Sequence, residues 1–169
     1  MCLVTMTQSL EDSIKQSAQA VFASLGTGHS EYIYHRAMEI ECQYQGWKYE
    51  SKKIIPIIYR EHTIGYGEAD LVVWNGEHVV VCEFKAISSE LREIEISQVK
   101  NYLKSCSPQS IGLLLNFPQP GGNRKARDHI DILHVYPDTY HTEKKDQIVS
   151  GPASDSPSGS PSEVKFESS

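Results

Sequence analysis

Apolar residues return every three or four positions through Leu10, Ile14, Ala18, Val21, Phe22 and Leu25, a period that predicts a first helix stopped by Gly26 to Gly28. Ser30 is placed to cap a second helix running to about Trp47, with Ile33, Ala37, Ile40 and Tyr44 as its core stripe. Glu31, Tyr34 and Met38 fall on an adjacent face. The period then changes. Lys52 to Tyr59 is β-branched and ends at the polar Arg60-Glu61-His62, and Pro56 within it marks an edge or a bulge. Ile64 to Val73 and Val79 to Lys85 follow as the second and third strands of a meander. Helical spacing resumes from about Glu90 to Ser105, where Ile94, Gln98 and Tyr102 lie four apart with Ile96, Val99 and Leu103 nearby. Ile111 to Phe117 reads as a buried strand reached by that helix as a crossover, and Ile130 to Val135 as a final strand. The order αα-βββ-α-ββ gives a mixed sheet with helices packed on it, an α/β or α+β domain.

Three charges interrupt this pattern where it is most apolar, at Asp70, Glu83 and Lys85. Asn75-Gly76 is the dipeptide favoured by a two-residue type I′ hairpin, so the register can be counted outward from the turn. It sets Trp74 against Glu77, Val73 against His78, Val72 against Val79, Leu71 against Val80 and Asp70 against Val81. Val81, Glu83 and Lys85 then share one face, and Asp70 becomes a diagonal neighbour of Glu83 at roughly 7–8 Å along the backbone. Two carboxylates so placed can hold one hard cation, with Lys85 beside it. Alternating charge on an antiparallel sheet more often marks a solvated face. Here, however, the continuous Val79-Val80-Val81-Cys82 run predicts burial on both faces, where unpaired carboxylates seldom persist without a metal or a counter-charge.

Composition narrows the function classes. The 169 residues, 39% apolar and 22% charged, suit one domain with a sizeable core. A net charge of −6 confines any nucleic-acid binding to a local patch. Arg124, Lys125 and Arg127, with Lys52, Lys53, Lys100 and Lys104, are candidates for contacting phosphate, with solvated surface charge the alternative for each. No apolar run approaches a membrane span and the first residues do not read as a signal peptide, so the expectation is an intracellular protein, cytoplasmic or nuclear, with no membrane partner. Cys2, Cys42, Cys82 and Cys106 form no C-x-x-C pair and signal neither zinc nor a disulfide framework. From about Tyr140 the text turns to Ser, Pro, Gly and charge. We therefore expect residues 1–8 as an N-terminal extension, 9–137 as the domain and 138–169 as a disordered tail.

Gly28-His29-Ser30-Glu31-Tyr32-Ile33-Tyr34 matches a G-x-x-E-x-x-Y signature, and four further blocks follow in order: Gly65 to Val73, Val81 to Ala86, Ser97 to Lys104 and Gly112 to Phe117. Over about Ser9 to Val135 the chain resembles the GxxExxY protein family of the PD-(D/E)XK nuclease-like superfamily. The resemblance implies a restriction-endonuclease-like core, a mixed sheet sandwiched by helices. It also implies Asp70, Glu83 and Lys85 at the D…E-x-K positions, Glu31 as the helical acid, and Gln98 and Tyr102 as accessory residues. Phe84 replaces the usual Leu, and Lys100 stands where an apolar residue is common; neither change removes a catalytic group.

The chemistry implied is hydrolysis of phosphodiester bonds in nucleic acid, DNA before RNA, by Mg²⁺-activated water, with Mn²⁺ as a substitute. Asp70, Glu83 and Glu31 would be the metal-side carboxylates; hard oxygen ligands suit Mg²⁺, and nothing in the Cys/His spacing favours zinc. Lys85 could orient or deprotonate the water or stabilise charge on the phosphorane. Gln98 could steady Lys85 or the metal, and Tyr102 could contact phosphate or simply pack. Glu31 has a plainer alternative as a first-turn acid favoured by the helix dipole. The alternative for the whole chain is a catalytically silent nuclease fold that binds nucleic acid or protein.

Overall fold

A computed structural model describes residues 8–76, 78–121 and 128–137, all within the unit Met1–Thr139. Arg124, Lys125, Arg127, residues 1–7 and the expected tail lie outside the described residues. The elements are α1 (Leu10–Leu25), α2 (Glu31–Gln45), β1 (Lys48–Tyr59), β2 (His62–Asn75), β3 (His78–Lys85), α3 (Glu93–Leu103), β4 (Ile111–Asn116) and β5 (Asp131–Val135). The strands form one sheet in the order β1-β2-β3-β4-β5, antiparallel except for the parallel pair β3–β4 that α3 connects. The class is α/β, a mixed sheet with α1 and α2 packed on one face and α3 on the other.

Strand alternation divides the core between the two faces. Leu71, Val80, Cys82, Phe84, Leu113 and Leu115 pack with Ile14, Phe22, Tyr34 and Met38 of α1 and α2. Val72, Val81 and Leu114 point the other way, onto Val99, Tyr102 and Leu103 of α3. The α3 layer sits close. A Cβ on Gly112 would strike the Val99 side chain, and one on Gly67 would strike the Tyr102 ring, so each glycine is the space its neighbour occupies. No helix among the described residues is long and apolar enough to cross a membrane.

Two sequence expectations are corrected. Of the stripe assigned to the core on α2, Ala37 packs against the core but Ile33, Ile40 and Tyr44 face out, the last two at 48% and 84% exposure, while Tyr34, His35, Met38 and Cys42 face in. Aromatic packing decides this: the Tyr34 ring stacks on Phe117 at 4.3 Å and its hydroxyl donates to the Gly26 carbonyl at 2.7 Å. The β2–β3 register also differs. Asn75 pairs with His78, Trp74 with Val79, Val73 with Val80, Val72 with Val81 and Leu71 with Cys82. This slip of two positions replaces the expected Trp74–Glu77 and Val73–His78 pairs with apolar ones, and cross-strand packing outweighs the turn dipeptide. Because the slip is even, every residue keeps its face. Arg60 and Glu61, at φ 45° and 66°, form a tight turn that joins β1 to β2.

Candidate active site

Leu71–Cys82 is the last β2–β3 pair, and Asp70 and Glu83 are the next residues along the two strands. Both are buried, at 4% and 3% exposure. The Phe84 backbone N–H donates to Asp70 Oδ2 at 2.8 Å, so this carboxylate bridges the strands where the ladder ends. Lys85, one alternation beyond Glu83, donates from Nζ to Glu83 Oε1 at 2.9 Å. Gln98 reaches the same oxygen from α3 at 3.0 Å. The other oxygen, Glu83 Oε2, is buried and has no hydrogen-bond partner.

Glu31 enters from the first turn of α2, its carboxylate 4.0 Å from Lys85 Nζ. Its position follows from its neighbours in the sequence. Gly28 takes a φ of 95° and donates its N–H to Gln119 Oε1 at 2.8 Å, Gln119 Nε2 donates to the Tyr34 hydroxyl at 3.2 Å, and Tyr34 is fully buried. The loop before α2 is thereby tied to the segment after β4. On α3, Gln98 also donates to the Tyr102 hydroxyl at 2.8 Å, which in turn donates to the Glu68 carbonyl at 2.9 Å. Tyr102 is 7% exposed and packs in the core, so its hydroxyl orients Gln98 from within. Lys100 lies half-buried two residues further along α3.

The electrostatics follow from this crowding. Burial, then the neighbouring Asp70 charge, raises the pKa of Glu83 above the ordinary carboxylate value, against the pull of Lys85. Burial likewise raises that of Glu31. At Lys85 burial disfavours the ammonium, but the hydrogen bond and charge of Glu83 outweigh it and the pKa lies above the ordinary lysine value.

Sequence reasoning missed Lys52 as a site residue. Its Nζ lies 2.5 Å from Asp70 Oδ1 and 3.7 Å from Glu68 Oε1. The signal is its place on the strand beside β2, where the sequence marks it only as a candidate phosphate contact. It also missed a cluster of the buried His35 and Glu39 with the half-buried Ser51, in which Ser51 and Arg36 both donate to Glu39 and Ser51 Oγ lies 3.0 Å from His35 Nε2.

Fitness for a metal turns on the donors left over. Among the described residues, no three His, Cys, Asp or Glu side chains form a group that could hold a metal ion, so Asp70, Glu83 and Glu31 do not make a closed cage. A Mg²⁺ site needs less, because it is commonly held by one or two carboxylates with water and substrate oxygens completing the shell. Glu83 Oε2, a buried carboxyl oxygen with no hydrogen-bond partner, is the donor such an ion would use.

A family model described as the PD-(D/E)XK nuclease superfamily matches residues 8–128, from the start of α1 to beyond β4. Among solved structures, the chain is similar to one titled "Crystal structure of SSO0001", with 18% identity, a TM-score of 0.46, and coverage of 63% of this chain and 50% of that chain. The match thus spans half the length of that protein. No curated protein matches the chain.

Proposed function

The chain belongs to the PD-(D/E)XK nuclease superfamily, and we propose that it is a metal-dependent nuclease that hydrolyses phosphodiester bonds in DNA, with residues 9–137 as the catalytic domain and the GxxExxY family as its nearer kin. Residues 1–8 are an extension and 138–169 a tail in this reading, and the protein acts inside the cell, where its substrate is. The observation that carries the reading is the unpartnered Glu83 Oε2, buried in a site that also contains Asp70 and Lys85.

Asp70 and Glu83 would hold Mg²⁺ or Mn²⁺, with Glu31 binding through water from the helix side. Bound there, the ion supplies Lewis acidity to the scissile phosphate and lowers the pKa of the attacking water. The chain's own residues prepare the seat. Gln98 and Lys85 together occupy Glu83 Oε1 and so leave Oε2 as the donor. The Phe84 N–H fixes Asp70 in the same way through Oδ2. Lys85 presents an ammonium where charge develops on the phosphorane, and electrostatic stabilisation of that kind is commonly the largest contribution to such catalysis. Lys100, Arg124, Lys125 and Arg127 would position the nucleic-acid backbone.

Incubating purified protein with single- and double-stranded DNA and RNA, in Mg²⁺, Mn²⁺ or EDTA, tests this. Metal-dependent cleavage that disappears in Asp70→Asn and Glu83→Gln is expected. The silent-fold alternative draws on one observation, the Lys52 ammonium already seated on Asp70 Oδ1. Retarded nucleic acid with no cleavage in any metal would establish it.

A further inference from the structure

β1 shifts register between Ile57 and Ile58, and it also leaves its ladder at Lys52. The β1–β2 ladder pairs Ser51 with Leu71 and Lys53 with Ala69, and skips Lys52 and Asp70 between them. Lys52 has a φ of 53°, in the left-handed region that residues with a Cβ enter only at a cost. Strained backbone of this kind persists where the surroundings impose it, and it collects at functional sites. The consequence here is specific. Lys52 turns its ammonium onto Asp70 Oδ1, while the next lysine, Lys53, pairs with Glu50.

The two partners differ in access. Asp70 is buried, but the Lys52 side chain is 47% exposed. The ammonium therefore reaches in from solvent and can withdraw to it. Asp70 Oδ2 is committed to the Phe84 N–H, so Oδ1 is the oxygen a cation would need, and Lys52 stands on it.

We propose that Lys52 is a displaceable counter-ion of Asp70, which holds the place of the divalent cation in the metal-free protein and yields it when the cation binds. The inference rests on the reading of Asp70 and Glu83 as a metal seat. It adds that metal affinity is set by a competitor within the chain, and linkage makes the competition reciprocal: what favours the ammonium on Oδ1 weakens the metal by the same factor. Once displaced, the ammonium is available to an anionic group such as a nucleic-acid phosphate.

Calorimetric titration of Mn²⁺ into the wild-type protein, Lys52→Met, Lys52→Gly and Lys53→Met is the test. Lys52→Met is expected to bind Mn²⁺ more tightly by about tenfold, the effect of removing a competing unit charge at contact distance. It should also melt at a lower temperature than wild type in EDTA and regain the difference in saturating Mn²⁺. Lys52→Gly removes the same ammonium while relaxing the left-handed backbone, so it gives the affinity readout even where the methionine variant folds poorly. Lys53→Met, one residue away with the same charge change, should leave Mn²⁺ affinity as in wild type. Equal affinity in wild type and both Lys52 variants overturns the inference and leaves the metal seat standing, as does an equal gain in Lys53→Met. Absence of Mn²⁺ binding in all four proteins overturns the inference and the metal reading together.

Discussion

Glu39 and Glu83 are almost equally buried, at 5% and 3% exposure, yet their surroundings are opposite. Both Glu39 oxygens are occupied, Oε1 by the Ser51 hydroxyl and Oε2 by the Arg36 guanidinium. At Glu83 two donors crowd one oxygen and none reaches the other. Burial alone therefore does not mark a functional carboxylate. A buried polar atom left open costs about 1–3 kcal/mol, and a fold selected only for stability would close it. The Glu39 cluster is what closure looks like in this chain, and Glu83 is the exception to be explained by function.

The largest separation of the two should be in catalysis. Glu83→Gln is expected to lower metal-dependent cleavage by roughly a thousandfold or more, the scale of several kcal/mol lost from the transition state. Glu39→Gln should leave turnover per folded molecule unchanged, and steady-state assays at matched folded concentration compare them. A comparable loss in both would break the distinction. Stability should then reverse the order. Glu39→Ala leaves Ser51 and Arg36 without their shared acceptor and should lower the unfolding free energy by about 2 kcal/mol in urea titrations.

Glu83→Gln should do the opposite in EDTA and raise the melting temperature by roughly a few degrees. The sign follows from linkage. Burial lifts the folded-state pKa of Glu83 above its unfolded value, so its stabilising contribution is complete below the unfolded pKa and is lost as pH rises through the folded one. Toward neutral pH the carboxyl is therefore less favourable to folding than in acid, and the uncharged Gln removes that dependence.

The smallest effect belongs to His35. Burial pushes its pKa below the ordinary 6.5 and so disfavours the imidazolium, although Nε2 lies 3.4 Å from Glu39 Oε1; the hydrogen-bond contact of Nε2 is with Ser51 Oγ at 3.0 Å. A depressed folded pKa means that stability present above pH ~6.5 is lost as pH falls toward the folded value. In the Glu83→Gln background, which removes that residue's opposing contribution, the urea midpoint should drop between pH 7.5 and 5.5, and His35→Gln should flatten the drop.

The element order, the crossover and the face shared by Glu83 and Lys85 were legible because hydrophobic period and strand alternation are local properties of the text. The even register slip between β2 and β3 preserved the face assignment although every pair was displaced. What was not legible depended on contacts distant in sequence. Residues 31–45 offer two stripes at helical spacing, Ile33-Ala37-Ile40-Tyr44 and Tyr34-Met38-Cys42, and Tyr34 stacking on Phe117 of a remote segment selects the second as the inward face. Lys52 could be placed beside Asp70 only once β1 was paired with β2 and its backbone was seen to leave the ladder. Asp70, Glu83, Lys85, Glu31 and Gln98 were named from the sequence, but the unpartnered oxygen that sets Glu83 apart from Glu39 is a property of packing alone.

The central claim is that the open oxygen of Glu83 is a metal donor. Calorimetric titration of Mn²⁺ into the wild-type protein and into Glu83→Gln addresses it without any assumption about substrate. The account predicts saturable binding to wild type that weakens by about tenfold or more in Glu83→Gln, the loss of one charged ligand to a hard cation. Binding of equal strength in the two proteins would contradict it.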